Sequence, residues 1–264
     1  MSANPPQLPL FRQIADEIRA EILRGDLAPG DKIPSQNQLE QRFGASRVTV
    51  RKAVAVLRSE GHITSSQGKQ PTVRTRPNVS LRQTGSIYRA RRATGESNFN
   101  AEARAQGQTA SQEIREVVEA PAPEAVAELF RVAPGTPMVV RRLRFVMKGA
   151  EGEADTPMQL CDSYYEASVA AGTRLAVPRR IKGGAHSVIE DPDGPIAKRV
   201  SQFIEDLKIR MPHPHEVEQL DIAEGTPVAR VFRTAYDSAG NVLEVQDAIL
   251  PSDRYDFRYV IDIP

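Results

Sequence analysis

The chain has a single cysteine, Cys161, in 264 residues, so an internal disulfide framework is excluded. No Cys-x-x-Cys pair is present, and with it goes the commonest zinc-ligand spacing. No apolar run approaches the length of a membrane span. The first residues are polar and proline-rich and lack the charged and apolar regions of a signal peptide, so a cytoplasmic protein without membrane contact is expected. Ser-His-Asp sets, paired acid/base carboxylates and metal-ligand clusters are missing at workable spacing. Gly135-Thr136-Pro137 and Gly225-Thr226-Pro227 lack the Gly-Lys-Ser/Thr of a phosphate loop. The expectation is therefore no catalytic residue, no metal and no cofactor. His213-Pro214-His215 has no third ligand nearby and reads as a strand edge, and Asp191-Pro192-Asp193-Gly194 reads as a turn.

What is present divides in two. A length of 264 residues suits two domains, each with its own core. The formal net charge of +1 hides an asymmetry: residues 1–92 hold 16 Lys/Arg against 7 Asp/Glu, a net +9, while 93–264 hold 19 against 27, a net −8. A basic head suits nucleic-acid contact, and an acidic body discourages indiscriminate coating of DNA.

The stretch from Ile33 to Arg74 organises the head. Ser35 with Gln38 three residues on forms a capping-box pattern, and Pro34 keeps the chain extended up to it. Leu39 and Phe43 give that helix an apolar face. Gly44-Ala45 supplies a tight turn, and Ser46 caps a second helix. Val50, Ala53, Val54 and Leu57 recur at i, i+3, i+4, i+7, one buried stripe. The remaining face carries Arg47, Thr49, Arg51, Lys52 and Arg58, side chains that reach phosphates and base edges in a major groove. After Glu60-Gly61, residues His62 to Ser66, then Gln67-Gly68-Lys69, then Thr72 to Arg74 read as strand, glycine turn and strand. That is a winged helix-turn-helix, with a wing able to enter a minor groove. Upstream, Leu10, Ile14, Ile18 and Ile22 mark a supporting helix closed by Gly25, and Pro29-Gly30 signals a turn.

Gly25 to Ser35, Ser46 to Ala53 and Glu60 to Ile63 resemble the signature of GntR-family bacterial transcription regulators. The resemblance implies that Ser46, Arg47, Thr49, Arg51 and Gly68 contact operator DNA, with Ser35, Asn37, Lys52, Gln67 and Lys69 completing the expected contact set. The sequence departs from the family pattern at Gln36, where glutamate is typical, at Asn37, often arginine, and at Lys69-Gln70-Pro71, where Gly-Thr is common.

We expect residues 1–75 to form this DNA-binding domain, 76–95 a basic linker, and 96–264 an effector and dimerisation domain. Within the body, helices are expected over Phe99–Ala105 and Pro123–Val132, and a strand over Ser111–Glu119. Two hairpins follow, Met138–Met147 with Pro157–Tyr165 and Val228–Tyr236 with Val242–Leu250. Between them Ile196, Val200, Phe203, Ile204 and Leu207 predict an amphipathic helix. The fold class expected is α+β, a winged helix-turn-helix followed by helices packed on a mostly antiparallel sheet.

Arg142 and Arg144 stand two apart on a strand and share a face, which suits a phosphate or carboxylate; the alternative is an ion-pair ladder with a neighbouring strand, for example to Glu244. The order of elements, with Arg141-Arg142-Leu143-Arg144, His186 to Glu190 and Ser252 to Phe257, resembles UTRA, the chorismate-lyase-like effector domain of the HutC subfamily. The resemblance implies that Arg142, Arg144 and Ser187 hold a phosphate and that Glu244 holds sugar hydroxyls. Cys161 stands where phosphosugar-binding members have glutamate, Leu250 where they have tyrosine, and the hydroxyl expected just after Phe99 falls at Asn100 or Ala101. A less polar anionic effector follows. The expected protein is thus a homodimeric repressor on a palindromic double-stranded operator, released by an anionic small molecule. The alternatives are a ligand-independent DNA-binding regulator and an enzyme of the chorismate-lyase-like fold.

Overall fold

The computed structural model describes residues 8–64, 70–75, 81–84, 98–149 and 154–258. The chain divides into two compact units, Met1–Arg76 with Ile222–Thr226, and Pro77–Asp221 with Pro227–Pro264.

In the first unit, α1 (Leu10–Arg24) buries Ile14, Ala15 and Ile18 along one stripe, and Gly25 ends it with φ of 84°, the left-handed conformation that glycine adopts without penalty. α2 (Gln36–Phe43) begins with the reciprocal capping box of Ser35 and Gln38. α3 (Arg47–Ser59) buries Val50, Ala53 and Leu57. Two short antiparallel strands, β1 (Ile63–Thr64) and β2 (Thr72–Val73), complete the unit. One core joins these pieces: Ile14, Ile18, Ile33, Leu39, Val50, Ala53, Leu57, Ile63 and Val73. Burying a Leu or Ile side chain contributes about 1.5–3 kcal/mol relative to exposure, so this small core suffices for three short helices.

The second unit opens with β3 (Leu81–Thr84), inside the stretch that composition alone marks as linker. β3 pairs in parallel with the C-terminal strand β10 (Tyr255–Arg258), and backbone pairing of this kind leaves no apolar pattern to read. Then come α4 (Asn98–Ala105), β4 (Ala110–Pro121), α5 (Glu124–Phe130), β5 (Pro137–Met147), β6 (Thr156–Glu166), α6 (Ala167–Ala170), a 3-10 turn (Arg174–Ala176), α7 (His186–Ile189), β7 (Gln202–Arg210), α8 (Pro214–Leu220), β8 (Val228–Tyr236) and β9 (Val242–Pro251). Six strands make one antiparallel sheet in the order β4-β5-β6-β9-β8-β7.

The helix expected over Ile196–Leu207 is not formed. Its second half is β7, which pairs along its whole length with β8, Phe203 opposite Ala235 and Leu207 opposite Val231. The apolar positions fit a period of 3.6, but Phe203, Ile204, Leu207 and Ile209 are also strand formers, and nine residues of ladder beside β8 decide between the two.

Both faces of the sheet are covered in part. Met138 and Val140 point to the face on which Val126, Ala127 and Phe130 of α5 pack with Tyr164 and Val245. Val139 and Tyr165 point the other way, to Ala170, Leu175, Val188 and Ile189. The latter face continues into Phe99, Ala103, Phe145, Cys161, Leu250 and Tyr255. Strand alternation therefore assigns every β5 side chain to one layer or the other.

Candidate functional site

The start of α3 is set by its cap. Gly44, at φ of 57°, turns the chain, and the Ser46 hydroxyl accepts the Thr49 backbone N–H at 3.3 Å and lies 2.9 Å from the Thr49 hydroxyl. The Gln36 side-chain amide donates to the Arg47 carbonyl at 3.3 Å, joining the start of α2 to the start of α3. On the outward face Arg47, Val48, Arg51 and Lys52 are all exposed. Among the described residues Arg47, Arg51 and Lys52 have no ion-pair partner, whereas Arg19 and Arg42 of the same unit are engaged by Glu60 and Glu21. Three cations without an ion-pair partner among the described residues thus stand on the first turns of a helix, beside its positive dipole end, an arrangement that suits an anionic backbone. Ser35 and Ser46 are occupied as caps, Ser35 accepting from the Gln38 N–H at 3.4 Å while its own N–H donates to Gln38 Oε1 at 2.8 Å. Asn37 is exposed on the first turn of α2. Gln67, Gly68 and Lys69 lie outside the described residues. Val48, 62% exposed, was passed over in the sequence; the signal is its position off the buried stripe of Val50, Ala53 and Leu57.

Because its hydroxyl caps α3, Ser46→Ala is expected to cost about 0.5–2 kcal/mol of stability whether or not DNA is present. A urea titration of the variant without DNA checks this; unchanged stability would leave DNA contact as the only role of that hydroxyl.

In the second unit, Arg142 and Arg144 do share a face, and each is met by carboxylates. Arg142 pairs with Glu116 of β4 and, at 3.3 Å, with Asp162 of β6. Arg144 pairs with Glu113 at 2.7 Å and reaches the Gln219 carbonyl of α8 at 3.4 Å. Asp162 stands opposite Asp247 of β9, which takes a bidentate pair from Arg230 of β8 at 2.7 and 2.9 Å. A ladder of charged side chains thus crosses five strands, with the carboxylates of Asp162 and Asp247 side by side at its centre and an arginine outside each. Burial lowers the Arg142 pKa, but pairing with Glu116 and Asp162 outweighs it and holds the group above its ordinary value. Burial raises the Asp162 pKa against the pull of Arg142.

Glu244 is not part of that ladder. Its neighbour Val245 is opposite Tyr164, on the Arg142 face, so Glu244 points to the other side. There it is 1% exposed, accepts a hydrogen bond from the Tyr165 hydroxyl and lies 2.8 Å from His186 Nε2. Burial raises the Glu244 pKa, yet the charge of His186 and its hydrogen bonds hold it below the usual carboxylate value. Burial pushes the Tyr165 hydroxyl well above its usual pKa, with Glu244 adding to the rise, so it remains a donor. On the same face are Cys161, buried and raised to a non-ionising pKa, and Ser163, whose hydroxyl is 3.9 Å from the thiol. Phe203 meets the His186 ring edge-on at a centroid distance of 5.7 Å.

The structure therefore separates the expected effector set. Arg142 and Arg144 occupy one face, and Glu244 the other. Ser187 follows His186 on α7, its hydroxyl donating to the Lys182 and Gly184 carbonyls at 2.8 Å, and Asn100 is buried on α4. The arginine that faces Glu244's side is Arg141, which the sequence left without a role. It is 4% exposed and donates to the carbonyls of Leu175, Val177 and Arg179 at 2.8–2.9 Å, pinning the segment that leads to α7. Burial lowers the Arg141 pKa, which Tyr165 and Glu244 oppose. Arg254 acts in a comparable way, donating to the carbonyls of Leu220 and Asp221 at 2.6 and 2.7 Å and to that of Pro157. The Asp-Arg-Tyr segment is thus a clamp, completed by the Tyr255 hydroxyl donating to Gln159 at 2.9 Å. His213 and His215 stack at 5.9 Å beside Glu216, which takes a bidentate pair from Arg210.

Comparison with known proteins places both units. Residues 10–73 match the model of the bacterial regulatory proteins of the gntR family, and 105–256 match the UTRA domain. An uncharacterized HTH-type transcriptional regulator of Streptomyces coelicolor is 26% identical over 265 residues, covering 98% of this chain and 95% of its own. The HTH-type transcriptional repressor NagR of Bacillus subtilis is 23% identical over 97% of this chain and 96% of its own. A crystal structure of a GntR-family transcriptional regulator superposes with a TM-score of 0.67 at 25% identity, over 97% of this chain and 98% of that one. These relatives and domains are those of transcription regulators and not of enzymes. Among the described residues no helix is long and apolar enough to cross a membrane. With a gntR head and a UTRA body, an order consistent with the HutC subfamily, the chain belongs to the GntR family of bacterial transcription regulators.

Proposed function

We propose that the protein is a homodimeric, cytoplasmic repressor whose heads, formed by residues 1–75, bind a palindromic operator and are released when a small molecule occupies the Glu244 face of the UTRA domain. The observation that carries the effector assignment is a carboxylate kept ionised at 1% exposure between a tyrosine hydroxyl and an imidazole. A buried charge is costly, and its partners here are side chains that an incoming hydroxyl or amino group can replace. Repression is supported by NagR, a repressor similar to this chain along nearly its whole length. In the head, Arg47 and Arg51 would meet bases and phosphates, Lys52 phosphate, and Val48 the methyl of a thymine.

The anionic effector expected from Arg142 and Arg144 is a second reading. It requires an anion to displace Glu113, Glu116 or Asp162 from guanidinium groups that they already neutralise. The two readings separate in one experiment. Metabolites bearing hydroxyl, amino, carboxylate or phosphate groups are screened by thermal shift, and the hit is tested for release of operator in a gel shift. We expect Glu244→Gln to abolish release while leaving operator binding without ligand unchanged, and Arg144→Ala to leave release intact. Loss of release with Arg144→Ala and not with Glu244→Gln favours the anion site. Any ligand that weakens operator affinity tenfold must itself bind the DNA complex tenfold more weakly, a coupling of about 1.4 kcal/mol.

A further inference from the structure

We infer that Asn37 selects a base of the operator: its side-chain amide pairs with an adenine in the major groove of each half-site. This rests on the operator-binding reading above and adds which base one side chain chooses.

The two flanks of α2 place the residue. On one flank Arg42 is held by Glu17 and Glu21 of α1. On the other the Gln36 side-chain amide donates to the Arg47 carbonyl, which ties the first turn of α2 to the first turn of α3. Leu39 is buried between the flanks. Each residue of a helix advances about 100° around the axis, so Asn37 follows Gln36 out of that contact and stands on the α3 side, whereas Gln38 falls on the α1 side. Asn37 is exposed there, beside a helix start whose Arg47 and Val48 are exposed as well. The shared hydrogen bond at Arg47 keeps the two helix starts together, so a groove that receives the first turn of α3 also lies against Asn37.

Hydrogen-bonding capacity separates Asn37 from its neighbours. Phosphate oxygens only accept, and so suit Arg47, Arg51 and Lys52, which only donate. The Ser46 and Thr49 hydroxyls are 2.9 Å apart and occupied with each other. The Gln36 amide N–H is spent on the Arg47 carbonyl, and Gln38 Oε1 on the Ser35 N–H. Asn37 makes no hydrogen bond among the described residues, so at these two helix starts it is the amide whose donor and acceptor are both open. Against a phosphate its Oδ1 would meet another acceptor. Among the four bases adenine presents a donor and an acceptor together in the major groove, N6–H and N7, the pair that an asparagine amide completes with two hydrogen bonds. Arginine, common at this position in the family pattern, has donors only and matches the O6 and N7 acceptors of guanine instead.

Selection of binding sites from random duplex DNA by the full chain tests this. Wild type is expected to enrich a site with adenine at one fixed position of each half. Asn37→Arg should change that position to guanine and leave the rest of the site as it was, and Asn37→Ala should open it to all four bases. On the selected site, replacing that adenine in one half should raise the wild-type Kd about tenfold, read by anisotropy at fixed salt, and the Asn37→Ala Kd by less than about twofold. Base analogues locate the two bonds. 7-Deazaadenine, which lacks N7, and purine, which lacks the N6 amino group, should each weaken wild type about fivefold and leave Asn37→Ala unchanged. If Asn37→Arg selects the same site as wild type, or if Asn37→Ala weakens selected and scrambled DNA alike with no position relaxed, the base contact is refuted and the operator-binding reading survives. If the position that responds to Asn37→Arg is not adenine in the wild-type site, the choice of base is overturned. If wild type enriches no sequence at all, the operator-binding reading fails and the base contact with it.

Discussion

The double variant Arg47→Ala/Arg51→Ala is expected to bind the operator no better than unrelated DNA. Each side chain lies on the first turns of α3, exposed and without an ion-pair partner among the described residues, so neither must leave a protein carboxylate to reach a phosphate or a guanine. A bidentate base contact contributes about 1–3 kcal/mol of discrimination, and a dimer loses it in both half-sites. Two such contacts removed twice amount to about 4 kcal/mol, roughly a thousandfold in Kd, even at the low end of that range. Lys52→Ala should behave differently, weakening all sequences alike and reducing the salt slope of log Kd by about one. Anisotropy titrations at fixed salt, on operator and on scrambled DNA, separate the outcomes. Wild-type affinity for the double variant would remove α3 from the groove.

The head was legible because its signals are local. Ser35 with Gln38, Gly44 and Ser46 each specify a cap or turn through neighbours within four residues, and the structure makes those same bonds. The two hairpins of the body were legible for a similar reason, since each is announced by the same local order, Gly-Thr-Pro, a strand, a polar turn and a return strand. What was hidden depends on distant partners. Alternation reveals that Arg142 and Arg144 share a face, but not that the face belongs to α5 and α8 rather than α7. Between a charge ladder and a buried pin the sequence offers only the one-residue step from Arg142 to Arg141. The partners of Arg141 are carbonyls at 175–179, which no side-chain pattern announces. β7 was hidden because Phe203, Ile204 and Leu207 satisfy a helical period as well as a strand, and only β8 beside them settles it. Glu244 is a candidate that the sequence names; its neighbours Tyr165 and His186 are not, because they are brought in from β6 and α7.

His186→Ala is expected to cost about 3–5 kcal/mol of the second unit's stability near pH 5.5, below the ordinary imidazole range near 6.5 and above the ordinary carboxylate range, the usual result of removing one partner from a buried ion pair. The pH dependence distinguishes this from a simple cavity. In wild type the charge of His186 helps hold the Glu244 pKa below its unfolded value, so this carboxylate's stabilisation is fully present above the ordinary range near 4.3 and is lost as pH falls through the folded pKa. Without His186 the largest influence left on Glu244 is burial, which raises its pKa. A raised carboxyl reverses the sign: the folded state then takes up a proton more readily than the unfolded state, and acidification relieves the buried charge. The difference between wild type and His186→Ala should therefore shrink as pH falls from about 5.5 towards 4, whereas a cavity would give a constant difference. Tyrosine emission is a clean probe, since the chain has no tryptophan and its six tyrosines all follow residue 76, the first at Tyr88, so the signal reports the second unit. Urea titrations of both proteins across that range supply the curves. On a Glu244→Gln background the charge is already gone, and the same histidine substitution should cost clearly less than it does beside the glutamate. An equal cost on both backgrounds, or a difference independent of pH, would show that His186 contributes packing and no charge to the Glu244 site.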